Sequence, residues 1–147
     1  MPNWCFNHLV VSEDTPAFSE WLSKGGFSFE RILETPPELL NGDGWYNWRI
    51  DNWGTKWDVD PKKVNTQEFN GQISLDFDTA WAPPLQVIEK LSEMFPTAYF
   101  QLTYFEPGMC FAGKFTAKDG RTHDNSDESG GLLYSEIAES FGCGEEN

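Results

Sequence analysis

Four of the chain's seven tryptophans fall between Trp45 and Trp57, and the last two frame the run Asn52-Trp53-Gly54-Thr55-Lys56-Trp57-Asp58. An indole is costly to leave in water and awkward to bury, because its N–H needs a partner. Alternated with Asn, Thr, Lys and Asp, it makes either a polar-satisfied corner of the core or the lining of a binding site. Asn3, Trp4 and Asn7 lie at the start of a first strand, while Trp81 closes a later one. Sheet ends can bring such residues to one place. A single pocket is therefore expected from Asn3, Trp4, Asn7, Asn52, Trp53, Thr55, Lys56, Trp57, Trp81 and Glu106. Its chemistry would suit a planar, nucleotide-like molecule: indole faces to stack, amides to read hydrogen-bonding edges, and Lys56 to meet a phosphate or carboxylate. The competing reading puts the tryptophans in the core beneath a long loop. Asn side chains would then satisfy the loop backbone, and Lys56 would pair with Asp58 or Glu106.

Other chemistries find less support. Cys5 and His8 are near in sequence, but on a strand they point to opposite faces, which spoils a thiol–base pair. Two histidines, His8 and His123, are a poor supply for a zinc or iron site. Asp76 and Asp78 share a strand face and could act as paired carboxylates, although such a pair is usually the wet side of a sheet. Gly25-Gly26 follows a helix where a phosphate-cradling loop would precede one. No catalytic residue, metal site or cofactor is expected. Three scattered cysteines, Cys5, Cys110 and Cys143, read as reduced packing thiols of a cytosolic protein.

The charge is lopsided, with 24 acids against 10 bases for a net −14. That opposes unassisted binding to nucleic acid or to an anionic membrane. No stretch is apolar enough for a membrane span, and the N-terminal residues lack the basic-then-apolar order of a signal peptide. From Thr122 onward there are seven acids (Asp124, Asp127, Glu128, Glu136, Glu139, Glu145 and Glu146) and no Lys or Arg. The run is either a solvated tail or a surface that docks on a basic partner, standing in for phosphates.

These residues need a frame. At 147 residues with 16% aromatics, one ordered domain is expected. Cys5 to Val11 alternates as a strand; Thr15-Pro16 opens a helix bearing Phe18, Trp21 and Leu22, which Gly25-Gly26 ends. Residues 27–70 show turn chemistry at Pro36-Pro37, Asn41-Gly42 and Asp43-Gly44 and no clean period, so an irregular insertion, one that carries function or short irregular strands, is expected. Ile73, Leu75 and Phe77 mark a second strand. Leu85, Ile88, Leu91 and Phe95 mark a second helix between prolines. Ala98 to Glu106 and Cys110 to Ala117 read as strands joined at Pro107-Gly108, where glycine should take a positive φ. Residues 122–147 are expected as an acidic extension, open to partial disorder, with a short helix through Leu133, Ile137 and Phe141. The order fits an α+β ferredoxin-like sandwich over residues 1–121, an antiparallel sheet with two helices on one face.

Four motifs in order carry a family resemblance: Met1-Pro2-Asn3-Trp4-Cys5 with Asn7; Asn52 to Trp57; Thr79-Ala80-Trp81-Ala82-Pro83-Pro84; and Tyr104-Phe105-Glu106-Pro107-Gly108 with Phe111 and Gly113. Together they resemble the YubB-like family, ferredoxin-like proteins of bacteriophages, conjugative plasmids and bacteria carrying them. Ala82 departs from the pattern, where the family often shows Ser. The resemblance implies the fold and a mobile-element context, with no secure activity attached.

Two expectations follow. The first is a non-enzymatic accessory protein of the host bacterial cytoplasm that inhibits a host function, defence above all. It would bind a host protein through Asp124, Asp127, Glu128, Glu136 and Glu139, or sequester a nucleotide-like molecule in the Trp/Asn/Lys pocket. The alternative is a small enzyme acting on a nucleotide or modified base in that pocket, with Lys56 and Glu106 as its electrostatic and acid–base residues.

Overall fold

A computed structural model describes residues 3–142. Met1, Pro2, Cys143, Glu145 and Glu146, named above, lie outside the described residues. Alternating burial makes the strands: in β1 (Trp4–Glu13) Cys5, Asn7, Leu9 and Val11 are buried and their neighbours are not. β3 (Gln72–Ala80) repeats the pattern with Ile73, Leu75, Phe77 and Thr79. With β2 (Asn65–Phe69), β4 (Ala98–Glu106), β5 (Phe111–Lys118) and β6 (Arg121–Glu128) they form one antiparallel sheet, in the order β2-β3-β1-β4-β5-β6. The first four strands in that order are the ferredoxin-like arrangement. β5 and β6 extend its far edge.

Register decides which residues share a face. Asn7 sits opposite Phe77 and Tyr104, while Phe6 sits opposite Asp78 and Phe105. The first set faces the main core. There Phe18 of α1 (Pro16–Ser23), Phe29 of α2 (Phe29–Ile32), Trp53 of α3 (Gly44–Trp53) and Val87, Ile88 and Leu91 of α4 (Leu85–Met94) pack on Leu9, Leu75, Phe100 and Leu102. The second set faces the other way. Only part of it is covered, by Ile137 and Ala138 of α5 (Leu132–Ser140) packing on Phe105 and Ala112 with Phe6 beside them. The helices at α1 and α4 and the antiparallel sheet are as the sequence predicts. No helix among the described residues is long and apolar enough to cross a membrane.

Four expectations change. The insertion is more regular than expected: besides a short strand, β2, it holds α2, α3 and two short 3₁₀ turns, Pro37–Asn41 and Pro61–Lys63. α3 starts directly after Asp43, so the Asp-Gly pair begins a helix instead of making a turn. Residues 122–142 are not a free tail either, because β6 hydrogen-bonds to β5 along its length after the Asp119-Gly120 turn, both residues at positive φ. Its short helix is present as α5. At the β4–β5 turn the positive φ (64°) belongs to Cys110, and Gly108 is small for another reason: a Cβ there would meet the Asn3 carboxamide at 2.6 Å.

Candidate functional site: an aromatic and acidic groove

The Trp run splits at its glycine. Trp53 ends α3 fully buried, its indole N–H donating to the Leu33 carbonyl at 2.8 Å. Gly54 then takes φ +89° as the helix C-cap, and a Cβ there would meet the Pro83 carbonyl at 2.9 Å. Beyond that turn Thr55 is buried, its hydroxyl donating to the Ala80 carbonyl at 2.8 Å. Trp57 emerges 40% exposed with the Lys56 ammonium 4.4 Å above its ring, and its centroid lies 6.1 Å from that of Trp4.

The other expected ligands also divide. Asn7 is buried, its amide donating to Thr79 Oγ1 at 3.0 Å and the Cys5 carbonyl at 3.1 Å. Asn52 bonds back to the Trp48 carbonyl. Glu106 is fully buried and accepts the backbone N–H groups of Gly108 and Met109, which closes the β4–β5 turn. Burial first, and then the neighbouring Glu106 charge, push the Cys5 thiol up to about 12. Asn3 offers its carbonyl to Trp81 N–H at 2.8 Å, and Trp81, 43% exposed, sits at φ +71°, unusual for a bulky side chain. The structure thus brings Trp4, Lys56 and Trp57 together and keeps Trp53, Thr55, Asn7 and Glu106 in the interior.

Trp4 instead bounds a groove of about 650 Å³ on the outer face of the sheet. Its floor is Phe6, Asp76 and Asp78, set there by the β1–β3 register. One wall is the connection through Asp58, Asp60 and Lys63. Asp58 fixes it by accepting Phe29 N–H at 2.6 Å and Glu30 N–H at 3.1 Å. The opposite wall is Phe141, stacked on Phe105 at 5.8 Å. A smaller cavity of about 330 Å³ shares Asp76 and Phe141 and adds His8, Thr103, Lys114 and Glu136. His8, Thr103 and Lys114 lie on one rung of the sheet with Asp76.

Charge is uneven along this face. Asp76 Oδ1 is 2.7 Å from His8 Nδ1. Asp78 makes no ion pair or side-chain hydrogen bond among the described residues, and partial burial, then repulsion from Asp76, hold its carboxyl above the usual range. Burial likewise raises Asp58, against three backbone donors that pull the other way. Aromatic faces beside carboxylates attract cations and N–H donors and repel phosphate. Among the described residues, no group of three or more His, Cys, Asp or Glu side chains is placed to hold a metal ion.

Of the described acids beyond residue 121, two accept hydrogen bonds from the fold, although Asp124 stays exposed. Asp124 accepts the Tyr104 hydroxyl at 2.8 Å, and Asp127 accepts Tyr134 N–H at 3.0 Å and Glu128 N–H at 2.9 Å, where α5 begins. Burial, helped by Asp124, raises the Tyr104 phenol well above its usual range. Glu128, Glu136 and Glu139 are exposed. Sequence reasoning misses Phe6, Lys63 and Phe141 as groove residues and sets the Asp76/Asp78 pair aside; the period-2 alternation that buries Cys5 and Phe77 is the signal for Phe6 and the Asp pair, while nothing in the local sequence points to Lys63 or Phe141.

Fold and groove together define the class: a ferredoxin-like α+β domain whose outer sheet face carries an aromatic, acidic groove. The chain belongs to the family described as the ferredoxin-like domain in Api92-like protein, whose model matches residues 53–143. Among solved structures it is similar to the crystal structure of the protein api92 from Yersinia pseudotuberculosis, at 23% identity and a TM-score of 0.53, a likeness of fold. The match covers 68% of this chain and 39% of the Yersinia chain, so this chain spans well under half of that protein's length. No curated protein matches it.

Proposed function

We propose that this chain is a YubB-like accessory protein of phage or plasmid type that acts without chemistry of its own. In this reading it works in the bacterial cytoplasm and blunts a host function, defence being the first to examine, by binding a host protein through its acidic outer face. The observation that carries the reading is the meeting of Asp76 and Asp78 with Trp4, Phe6 and Phe141 on a sheet face that α5 covers only in part. Exposed aromatics anchor interfaces, and carboxylates around them select a basic partner. Sequestration of a nucleotide is less well supported. Trp53 and Thr55 are interior, Lys56 is engaged on Trp57, and the open groove carries the wrong charge for phosphate.

The test is affinity capture of the tagged chain from host cells, followed by native mass spectrometry. A stoichiometric host protein that releases as salt rises supports the reading. Capture of a nucleotide-sized mass, or a host protein retained unchanged when Asp76, Asp78, Glu136 and Glu139 are all made neutral amides, overturns it.

A further inference from the structure

We propose that the groove between the Asp58–Lys63 connection and Phe141 receives an arginine side chain of the partner, its guanidinium laid against Trp4 and Phe6 and forked onto Asp76 and Asp78. This rests on the reading that the acidic face binds a basic host protein, and it names the side chain recognised. The argument begins inside the molecule. Arg49 lies 5.0 Å from the Trp45 ring and 4.7 Å from the Trp53 ring, and donates to Glu30 Oε2 at 3.1 Å. Arg31 lies 4.1 Å over Trp21 and donates to the Gly26 carbonyl. A flat, weakly hydrated guanidinium can stack and donate in its own plane at once, which an ammonium cannot.

The groove repeats the acceptor half of that arrangement on the surface, without a resident arginine. Trp4 is 40% exposed, Phe6 is half-buried beside it, and Asp78 lies opposite Phe6 across the β1–β3 pair. The two carboxylates are two residues apart on one strand face, so they repel each other and gain from a shared cation. His8 holds one oxygen of Asp76, and Asp78 is free of any ion pair among the described residues. Lys63 is the groove's own lysine. It neutralises only part of a lining that includes Asp58, Asp60, Asp76 and Asp78. At about 650 Å³ the space exceeds one side chain, leaving room for the flanking backbone of a peptide.

The experiment uses the full chain and two probes, acetyl-Gly-Arg-Gly-Arg-Gly-amide and its lysine counterpart, followed by calorimetry and tryptophan fluorescence. The arginine peptide should bind at least about fivefold more tightly than the lysine peptide, a difference of about 1 kcal/mol. Asp78→Asn and Trp4→Ala should each weaken it about tenfold, with circular dichroism unchanged. Equal affinity for both peptides, or full affinity in folded Asp78→Asn, would overturn the arginine assignment. A host protein captured equally well by the wild type and by Trp4→Ala would sink this inference and leave the acidic-face reading standing. Arginine-selective binding without any captured host protein would do the reverse.

Discussion

Trp53 and Trp57 stand four residues apart in one motif, and their replacement should have opposite consequences. Trp53 is fully buried, packs edge-on to Phe29 at 5.5 Å and Trp48 at 6.1 Å, lies under Arg49, and satisfies the Leu33 carbonyl. Truncating a buried aromatic to alanine costs about 3–5 kcal/mol. Orphaning the Leu33 carbonyl adds about 1 kcal/mol or more, and losing the Arg49 stack another ~0.5–1 kcal/mol. These terms overlap, so Trp53→Ala should lose about 5 kcal/mol, a large share of the ~5–15 kcal/mol a domain of this size holds. With a urea m-value of about 2 kcal/mol/M, the midpoint should fall by about 2–3 M. Trp53→Phe keeps much of the ring and loses the N–H, and should fall by about half as much. Trp57→Ala should move the midpoint by less than about 0.5 M, because that ring is already 40% exposed. Far-UV circular dichroism is the right probe, since the substitutions alter fluorescence directly. If Trp53→Ala melts within about 0.5 M of wild type, Trp53 is not a core residue and the division of the motif at Gly54 is wrong.

The groove carboxylate should show its cost in stability. The folded-state pKa of Asp78 is raised above 3.8, so ionising it opposes folding; that penalty is full above the raised pKa and fades as pH falls toward 3.8. Asp78→Asn should therefore raise Tm at neutral pH by about 1–2 °C, with the gain shrinking through mild acid; a lowered Tm at pH 7, or a pH-independent gain, would contradict the sign. Gly113→Ala should lose about 1–3 kcal/mol in a urea melt, because its Cβ would strike the Tyr104 hydroxyl and lie 2.9 Å from the Asn125 carbonyl; a neutral result would mean the β4–β5–β6 packing is looser than described. In native protein at pH 8 a thiol reagent should modify exposed Cys110 and leave buried Cys5 untouched until the protein is unfolded, as peptide mass mapping would show.

Period and punctuation made much of the fold legible. Cys5 to Val11 alternates cleanly because one face of β1 is core, and Leu85, Ile88 and Leu91 recur at helical spacing because α4 covers that face. β2 and β6 were hidden for the converse reason. Asn-Thr-Gln-Glu-Phe and Arg-Thr-His-Asp-Asn-Ser-Asp-Glu are edge strands with almost nothing buried, so pairing, not patterning, makes them strands. α3 was hidden by its own start, where Asp43-Gly44 reads as a turn. Its amphipathicity is weak, and it is held by the Arg49 stack and the Trp53 N–H, both tertiary.

The site was harder to read than the fold, because residue type does not say which way a side chain faces after a helix ends. Gly54 reverses the chain and sends two tryptophans of one motif to opposite destinations. Acidity poses the same problem in another form. A net charge of −14 counts every carboxylate alike, yet Glu30, Asp58, Glu106 and Asp127 are committed to backbone N–H groups, and Asp124 to a phenol. Those charges close turns and begin helices, and neutralising them should first damage the fold. Subtracting them concentrates the acidic signal of the sheet's outer face on Asp76, Asp78 and Glu136 beside Trp4, Phe6 and Phe141. The proposed partner surface is thus drawn by what the fold leaves unused, which is why a charge-neutralising scan must separate the two sets before any loss of binding is read as loss of contact.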